Sequence, residues 1–352
     1  MDKEKAKAFM GTMVGILNGG SLALMVSVGH RTGLFDTMAT LGTVTSEQLS
    51  ESTSLNERYV REWLAAMAAG GIVEYSPTGE TYVLPDEHKA LVTRAGGPLN
   101  IASTTQYIAL LGQVEDDVVE AFSTGAGVPY SRYPAFQSLM AEESAARFDA
   151  GLLQEALPVI EGLPERLESG IDVADIGCGA GYALMLMAQA YPNSSFTGYD
   201  FSEDALAEAR RGAADAGLTN LTFIAADAAE IDAPDAYDFI TTFDAIHDQA
   251  YPDTVLENIA NALRDDGNYL CVEPKAASSL EENLENPIAP YLYSVSTMHC
   301  MSVSIAGGGH GLGTAWGTEQ ALEYLSAAGF TNVEPHIHRS DRSNTHFVCR
   351  KS

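Results

Sequence analysis

The sequence predicts an α/β protein in which a doubly wound parallel sheet follows a smaller N-terminal α+β domain. Three observations predict this fold class. From residue 171 onward, short apolar runs alternate with stretches of helical period. The first of these runs ends in a glycine-rich turn at 175–181. The first 95 residues instead show the order helix, helix, helix and hairpin, which is typical of a winged helix.

The elements of the N-terminal domain follow from apolar periodicity, helix caps and turn residues. Glycines at 19 and 20 separate the first two apolar stretches, and a Ser-Pro-Thr-Gly turn separates the two strands of the hairpin. We predict apolar helices over 4–17 and 21–33, a short helix opened by a capping pattern at 45–51, an amphipathic helix over 56–69, and strands near 72–75 and 81–84.

A winged helix first suggests DNA binding, but the charges argue against it. The helix that would enter the groove carries Glu57, Arg58, Arg61 and Glu62, whose charges nearly cancel. The chain has 19 basic and 48 acidic residues and a net charge of −29, whereas phosphate binding needs a basic surface. We therefore expect no nucleic-acid partner, and we expect the winged helix to pack against a partner subunit.

Three regions are predicted: a winged-helix, dimerisation-type domain at 1–95, a helical linker or cap at 96–165, and a ligand-binding catalytic domain at 166–352. A Gly/Pro break interrupts the helical region at 125–134, and a helical and loop insertion is expected at about 276–317. The predicted strands are 171–176, 195–200, 221–226, 237–244, 267–273, 332–338 and 345–351, and the helices between them include 182–190, 203–216, 252–264 and 318–328.

The glycine turn joins the first predicted strand of this sheet to a helix that begins near Tyr182. It contains Gly177, Gly179 and Gly181, which let a ligand lie against bare backbone at a helix N-terminus. A dinucleotide-binding turn has its last glycine one residue later, where this chain has Tyr182. The spacing therefore favours S-adenosylmethionine over NAD, and Asp175 is expected to orient the turn.

Two further acids follow the next two strands. Asp200 closes the second strand and can accept hydrogen bonds from both ribose hydroxyls, or it can cap the helix that follows. Asp227, between Ala226 and Ala228 after the third strand, is placed to accept from an adenine amino group. The order and spacing of these acids with the glycine turn predict a single S-adenosylmethionine site.

With these features the chain resembles class I S-adenosylmethionine-dependent methyltransferases, to which segments 237–248 and 256–270 are also similar. More closely, it resembles a subgroup with an N-terminal winged helix known from mycobacteria and other bacteria. The stretches 245–249, 293–301 and 311–317 carry this second resemblance.

The resemblance implies a Rossmann-like seven-stranded sheet whose last strand is antiparallel. It also implies a small-molecule acceptor, with oxygen as the default acceptor atom and sulfur or nitrogen left open, and a homodimer through the N-terminal domain. One departure is Asp265-Asp266-Gly267, where the family commonly has Pro-Gly, and we expect it to affect only a surface turn.

Three residues are candidates for catalysis. His247 follows the fourth strand and is the first candidate for a base or an acceptor-orienting group, with a structural histidine as the alternative. Asp248 is expected to orient His247 or to cap the next helix. His299 lies in a predicted helix over the open end of the sheet, where it either contacts the acceptor or packs in a buried helix face.

Aromatic and loop residues are predicted to enclose the ligands. Tyr130 is expected to close over the cofactor, and Phe201 and Phe243 are expected to line its site. The glycine-rich loop at 307–317 is either a mobile lid or an irregular connection. The predicted substrate pocket contains Tyr133, Tyr293, Cys300, His310 and Trp316.

Other features predict the compartment and the absence of a metal. His336 and His338 point the same way on a late strand, but no third ligand is evident, so no metal site is expected. The four cysteines are widely spaced, and no apolar run reaches about 18 residues. We expect a cytoplasmic enzyme without a membrane partner. The alternative function is a winged-helix transcription regulator that senses S-adenosylmethionine without turnover.

Overall fold

The computed structural model describes residues 1–351, which form two compact units. The first unit is Met1–Gly112, and the second begins at Gln113. The three-part division with boundaries at 95 and 165 stays a prediction.

The first unit is a winged helix with its own core. Trp63 lies at its centre, where its ring contacts Phe35 at 5.0 Å and its indole N–H donates to the Met25 carbonyl at 2.8 Å. The predicted capping pattern is present, because Thr45 and Gln48 exchange hydrogen bonds. The elements are α1 (Lys3–Arg31), α2 (Leu34–Leu41), α3 (Ser46–Thr53), α4 (Glu57–Ala69), β1 (Glu74–Ser76), β2 (Thr81–Val83), α5 (Asp86–Val92), α6 (Ile101–Thr104) and α7 (Gln106–Leu111).

The first helix differs from the prediction, because 4–17 and 21–33 are one continuous helix. Gly19 and Gly20 each lower helix stability by about 1 kcal/mol relative to alanine, but they do not forbid helical backbone angles. The hydroxyl of Ser21 donates to the Leu17 carbonyl at 2.9 Å across this point. The glycine pair therefore lies inside α1 rather than between two helices.

The N-terminal part of α1 is an apolar helix without cover within its unit. Every residue from Met1 to Gly20 is exposed. By length and composition α1 is able to cross a membrane, although such a helix is weak evidence for a membrane protein. The prediction that no apolar run reaches about 18 residues missed this helix, because scattered small and polar residues interrupt the run while the mean hydropathy stays high.

The second unit begins with helices and continues into a seven-stranded sheet of order β5-β4-β3-β6-β7-β9-β8. Strands β3 to β7 pair in parallel, and β9 is antiparallel to both of its neighbours, as predicted. The elements are α8 (Glu115–Thr124), α9 (Phe136–Gly151), α10 (Leu163–Ser169), β3 (Asp172–Ile176), α11 (Tyr182–Ala190), β4 (Ser195–Asp200), α12 (Glu203–Asp215), β5 (Leu221–Ala225), β6 (Tyr237–Phe243), α13 (Pro252–Ala262), β7 (Leu263–Pro274), α14 (Leu280–Asn283), α15 (Ala289–Val295), α16 (Met301–Ala306), α17 (Gly317–Ala327), β8 (Asn332–His336) and β9 (Asn344–Arg350).

The sheet positions a cleft at its topological switch point. Apolar clusters cover both faces, one centred on Ile240 and Phe347 and the other on Leu184 and Phe239. The chain order reverses at β3, whose neighbours β4 and β6 lead to opposite edges. Ligands of such sheets bind outside the carboxyl ends of the strands at this point.

The segment around Asp265 and Asp266 belongs to a strand rather than to a surface turn. β7 begins at Leu263, four residues before the predicted start, and its register against β6 shifts after the first pair. Arg264 forms an ion pair with Asp172 of β3 at 2.9 Å. This contact across β6 holds the start of the long strand against the sheet.

Candidate active site

The glycine turn after β3 combines two roles. Gly177, Gly179 and Gly181 have φ angles of 76°, 53° and 72°, in the left-handed region that favours glycine. A Cβ at Gly181 would lie 2.5 Å from the ring of Phe223, so this glycine permits close packing. A Cβ at Gly179 would meet nothing within 4 Å. Gly179 therefore presents bare backbone to open space.

Asp200 connects the end of β4 to this turn. Its carboxylate accepts hydrogen bonds from the backbone N–H groups of Gly179 and Ser202, both at 2.8 Å. Ser202 caps α12, so Asp200 is not the cap of that helix. Burial raises the pKa of Asp200, and free lone pairs remain on its two oxygens for a further donor.

Two cavities lie along the carboxyl ends of the strands and share several walls. The first extends from the glycine turn to α9, and the second extends to the segment after β5. Phe201 is 58% exposed, which leaves its ring available to a ligand. The shared lining residues are Tyr130, Gly177, Asp200, Phe201, Asp248 and Gln249.

The second cavity contains the third predicted cofactor acid. Ala226, Asp227 and Ala228 line it together. Asp227 is exposed, and one of its oxygens accepts from the Ala229 N–H at 2.9 Å. The predicted cofactor residues Gly179, Asp200 and Asp227 therefore lie along one cleft.

The carboxylates of this cleft fit a cationic ligand. Burial raises the pKa of Asp175 to about 7, although the hydroxyl of Thr241 donates to it at 2.7 Å. Burial also raises the pKa of Asp248 to about 7. A positive ligand in the cleft would stabilise both carboxylates. S-adenosylmethionine carries a sulfonium and an ammonium group, so the residues present fit this cofactor.

His247 lies directly before Asp248 but faces neither of the two cavities. Its Nδ1 lies 2.6 Å from an oxygen of Glu273 in β7, and Cys300 is a second neighbour of the ring. Burial by itself lowers the pKa of His247, but Glu273 and Cys300 raise it well above 6.5. His247 is therefore buried against Glu273, and this carboxylate favours the protonated form of its ring.

Sequence reasoning missed Glu273 and Arg147. Glu273 also accepts the Ile246 N–H at 2.8 Å. The signal in the sequence that could have identified it is a single acidic residue within an otherwise apolar predicted strand. The guanidinium of Arg147 donates to Asp244 at 2.7 Å, where the backbone has a φ of 53°. These two contacts hold Asp244 and Ile246, directly before His247.

His299 is enclosed by aromatic rings. Its ring stacks on Phe136 with centroids 3.6 Å apart, and Tyr133 and Tyr130 lie at 4.6 and 5.6 Å. Burial lowers the pKa of His299 to about 3, so it is neutral. Neither ring nitrogen has a hydrogen-bond partner within residues 1–351. Buried polar groups of this kind are rare, because most are hydrogen-bonded.

The remaining predicted pocket residues divide between the core and the surface. Trp316 packs in the core against Tyr324 and does not line either cavity. His310 is exposed, but its backbone N–H donates a hydrogen bond to the Ala250 carbonyl at 2.9 Å. The hydroxyl of Tyr293 accepts from Asn283 at 3.0 Å.

Two more residues predicted for the substrate pocket are buried, and the last residue predicted for the cofactor site lines a cavity. The thiol of Cys300 is buried and accepts from Thr314 at 3.0 Å, and Tyr133 is buried with its hydroxyl on the Met298 carbonyl. Phe243 lines the first cavity, as expected for a cofactor-site wall.

Comparison with known families identifies two domains in the chain. Residues 20–94 match the Rv2258c-like winged HTH domain, and residues 167–329 match a methyltransferase domain. The demethylmenaquinone methyltransferase of Listeria monocytogenes serotype 4a is 29% identical over 110 residues, which are 31% of this chain and 46% of that protein. The chain thus spans about half the length of the curated relatives it matches.

Solved structures agree on the fold. Human N-acetylserotonin methyltransferase in complex with S-adenosylmethionine has a TM-score of 0.65 at 16% identity, covering 97% of both chains. The O-methyltransferase of neocarzinostatin biosynthesis, in complex with S-adenosylhomocysteine and 1,4-dihydroxy-2-naphthoic acid, has a TM-score of 0.60 at 14% identity, covering 94% of this chain and 96% of that chain. The chain therefore belongs to the class I S-adenosylmethionine-dependent methyltransferases, in the group that carries an Rv2258c-like winged-helix domain.

Proposed function

We propose that this enzyme transfers the methyl group of S-adenosylmethionine to an oxygen atom of a small-molecule acceptor. The observation that carries the proposal is the single cleft in which Gly179, Asp200 and Asp248 face the same space. Methyl transfer mainly requires that donor and acceptor are aligned and that water is excluded. The cleft supplies a rigid backbone cradle on one side and aromatic side chains on the other.

The cofactor supplies an electrophilic methyl group on a sulfonium, and four groups would hold it. The backbone at Gly179 would bind its amino-acid portion, and Asp200 would accept from the ribose hydroxyls. Asp227 would accept from the adenine amino group, and the exposed ring of Phe201 would pack on the adenine.

The acceptor is proposed to be a flat apolar molecule that carries a hydroxyl. Phe136 and Tyr130 line the cavity beside the cradle, and His299 stacks behind Phe136. His299 lines neither cavity, so in this proposal it supports the aromatic wall from behind. The dihydroxynaphthoic acid held by the neocarzinostatin-pathway enzyme is of this chemical kind.

The winged helix is proposed to serve assembly rather than DNA binding. On α4, Arg61 forms an ion pair with Glu57 at 3.0 Å, and Arg58 forms one with Glu62. These pairs neutralise the cations that would meet phosphates. We include a cytoplasmic location in the proposal, supported by the four unpaired cysteines.

An acceptor screen tests the function. Purified enzyme is incubated with S-adenosylmethionine and a panel of hydroxyl, thiol and amine compounds, and S-adenosylhomocysteine release is measured. We expect release with aromatic hydroxyl compounds, and none from enzyme that carries Gly179→Asp. Cofactor binding without turnover on any compound, together with a DNA gel shift at low salt, would instead support the regulator.

A homodimer through α1 is the second part of the proposal. Gly11, Gly15 and Gly19 lie on one helix face, and a Cβ at each would meet nothing within 4 Å. Phe9 and Leu17 are 64% and 69% exposed. A helix that is apolar on all sides is normally buried, and its small-residue face permits close approach of the same helix from a second copy.

Replacing Phe9 and Leu17 together by glutamate is expected to give a monomer, because two charges cannot be buried in this interface. Light scattering after gel filtration measures the mass, and the wild type is expected to have twice the mass of one chain. The matched control replaces Leu280 and Leu284, which are also exposed, by glutamate, and this variant should remain a dimer. A wild-type monomer, or a dimeric Phe9→Glu/Leu17→Glu variant, contradicts the proposal.

A further inference from the structure

We propose that Gln137 and Asp149 are positioning residues that hold α9 against the cofactor cleft and thereby limit the rate at which S-adenosylhomocysteine leaves. The inference rests on the proposed function and deepens it, because it names residues that control release of the cofactor product. Both residues act through α9, which lines the first cavity together with the glycine turn.

One face of α9 is turned toward the cleft. Met140, Ala141 and Ser144 are three or four residues apart, so they share one face of the helix, and all three line the first cavity. Gly179, which presents bare backbone to open space, lines the same cavity. A cofactor bound on the glycine turn would therefore lie against this face of α9.

Two side-chain hydrogen bonds tie the ends of α9 to the carboxyl edge of the sheet. Near the start of the helix, the side-chain oxygen of Gln137 accepts from the hydroxyl of Ser202, the residue that caps α12 after β4. The distance is 3.1 Å. Near its end, Asp149 accepts at 2.7 Å from the hydroxyl of Tyr182, which begins α11 after β3. With a rise of 1.5 Å per residue, these contacts lie about 18 Å apart along α9.

A third polar contact of α9 has a different character. Arg147 donates to Asp244 at the end of β6, and the two side chains are 14% and 10% exposed. Breaking a buried ion pair leaves a charge uncompensated, so we assign this contact to the stability of the fold. Gln137 is half-buried and Asp149 is exposed, so water can replace their hydrogen bonds. The two outer contacts can therefore open while the protein stays folded.

Tyr182 gives the contact at the end of α9 a basis in the sequence. A dinucleotide-binding turn has glycine at this position, and glycine would leave Asp149 without its donor. The Asp149 carboxylate accepts the hydroxyl proton and so raises the pKa of Tyr182 to about 12. The hydroxyl therefore keeps the proton that it donates throughout the neutral pH range.

The position of α9 affects two stages of the reaction. Methyl transfer needs a cleft from which water is excluded, and the cofactor product must leave afterwards. Opening of a covering element limits turnover in many enzymes. Each outer hydrogen bond stabilises the closed position of α9, so its loss should speed product release by roughly 5- to 20-fold.

A chase experiment measures this release without an acceptor. The enzyme is loaded with radiolabelled S-adenosylhomocysteine, excess unlabelled compound is added, and the loss of label is followed by rapid filtration. Asp149→Ala, Tyr182→Phe and Gln137→Met should each raise the rate by roughly 5- to 20-fold. The double variant Asp149→Ala/Tyr182→Phe should match the single variants, because both remove the same contact. Asp149→Asn, whose amide oxygen still accepts, should remain closer to the wild type.

Two features of these variants separate positioning from other effects. Asp149 lines neither cavity, so its effect on release must pass through α9. Tyr191→Phe is the matched control for Tyr182→Phe, because Tyr191 lies at the other end of α11 and lines neither cavity. This control should release S-adenosylhomocysteine at the wild-type rate. A purely structural role would lower the melting temperature of the variants and leave the release rate unchanged.

Hydrogen exchange provides a second readout. S-adenosylhomocysteine should slow the exchange of the backbone amides of α9 in the wild type, and it should do so less in Asp149→Ala. Because Asp149 is exposed, this variant tests the proposal even where Gln137→Met is unstable.

Wild-type release rates in Asp149→Ala and Gln137→Met would overturn the assignment. Apolar contacts, such as the stacking of Phe136 on His299, would then hold α9 by themselves. An equal acceleration in Tyr191→Phe would overturn it as well. Calorimetric titration distinguishes the two levels of the account: a folded wild type that does not bind S-adenosylhomocysteine rejects the function and this inference together, whereas binding with unchanged release rates in the variants rejects only this inference.

Discussion

Gly179→Asp is expected to weaken S-adenosylmethionine binding at least 100-fold while the protein keeps its fold. The new side chain would occupy the open space in front of the turn, where the cofactor is proposed to lie. It would also place a carboxylate beside Asp200, which already accepts the Gly179 N–H. The added negative charge would meet the carboxylate of the cofactor at the helix N-terminus. Equilibrium dialysis with labelled cofactor measures the loss.

Gly217→Asp is the matched control. Gly217 has a φ of 68°, and a Cβ there also meets nothing within 4 Å, but it follows α12 away from both cavities. The two variants therefore carry the same backbone strain and the same charge. We expect similar melting temperatures for both and wild-type affinity for Gly217→Asp. Equal affinities of the two variants would show that Gly179 does not face the cofactor.

Glu273→Ala is expected to lower the free energy of unfolding by about 3–5 kcal/mol. Removing one partner of a buried ion pair leaves the other partner uncompensated, here His247. The Ile246 N–H also loses its acceptor. Urea denaturation followed by circular dichroism measures the change.

The pH dependence of this loss has a definite sign. The folded-state pKa of His247 is raised well above 6.5, so the pair stabilises the fold fully below pH 6.5 and loses this effect as pH rises through the folded pKa. The difference between wild type and Glu273→Ala should therefore be larger at pH 6 than at pH 9.5. Glu334→Ala, which breaks a half-exposed pair with Arg350, should cost at most about 1 kcal/mol. A comparable loss in both variants would contradict the buried ion pair.

Local sequence predicted most of the sheet because most of its strands contain a short apolar run with glycine, proline or acidic residues nearby. The predicted second strand, Ser195–Asp200, has the observed bounds, and the helix 182–190 has them as well. The misjudged boundaries depend on contacts from elsewhere in the chain. β7 begins early because Arg264 reaches Asp172, and no local pattern contains that pairing.

The site residues that directly follow strands could be predicted from the sequence. The residues that reach the site through packing between distant elements could not. Gly179, Asp200 and Asp227 could be placed together because parallel strands end at one edge of a sheet. The partner of His247 could not be found in this way, because Glu273 lies inside an apolar strand 26 residues later. The different environments of His247 and Asp248 could also be recognised only from the fold. Although the two residues are adjacent in sequence, His247 faces the buried Glu273 and Asp248 faces the open cleft.

Calorimetric titration of the wild-type enzyme with S-adenosylhomocysteine tests most directly whether the cleft at 175–181 is the cofactor site. This ligand fills the site without transferring a methyl group, so the result does not depend on the acceptor. The structure predicts saturable binding at one site per chain, lost in Gly179→Asp and retained in Gly217→Asp. An absence of binding heat at several temperatures, with the protein folded throughout, would contradict the assignment.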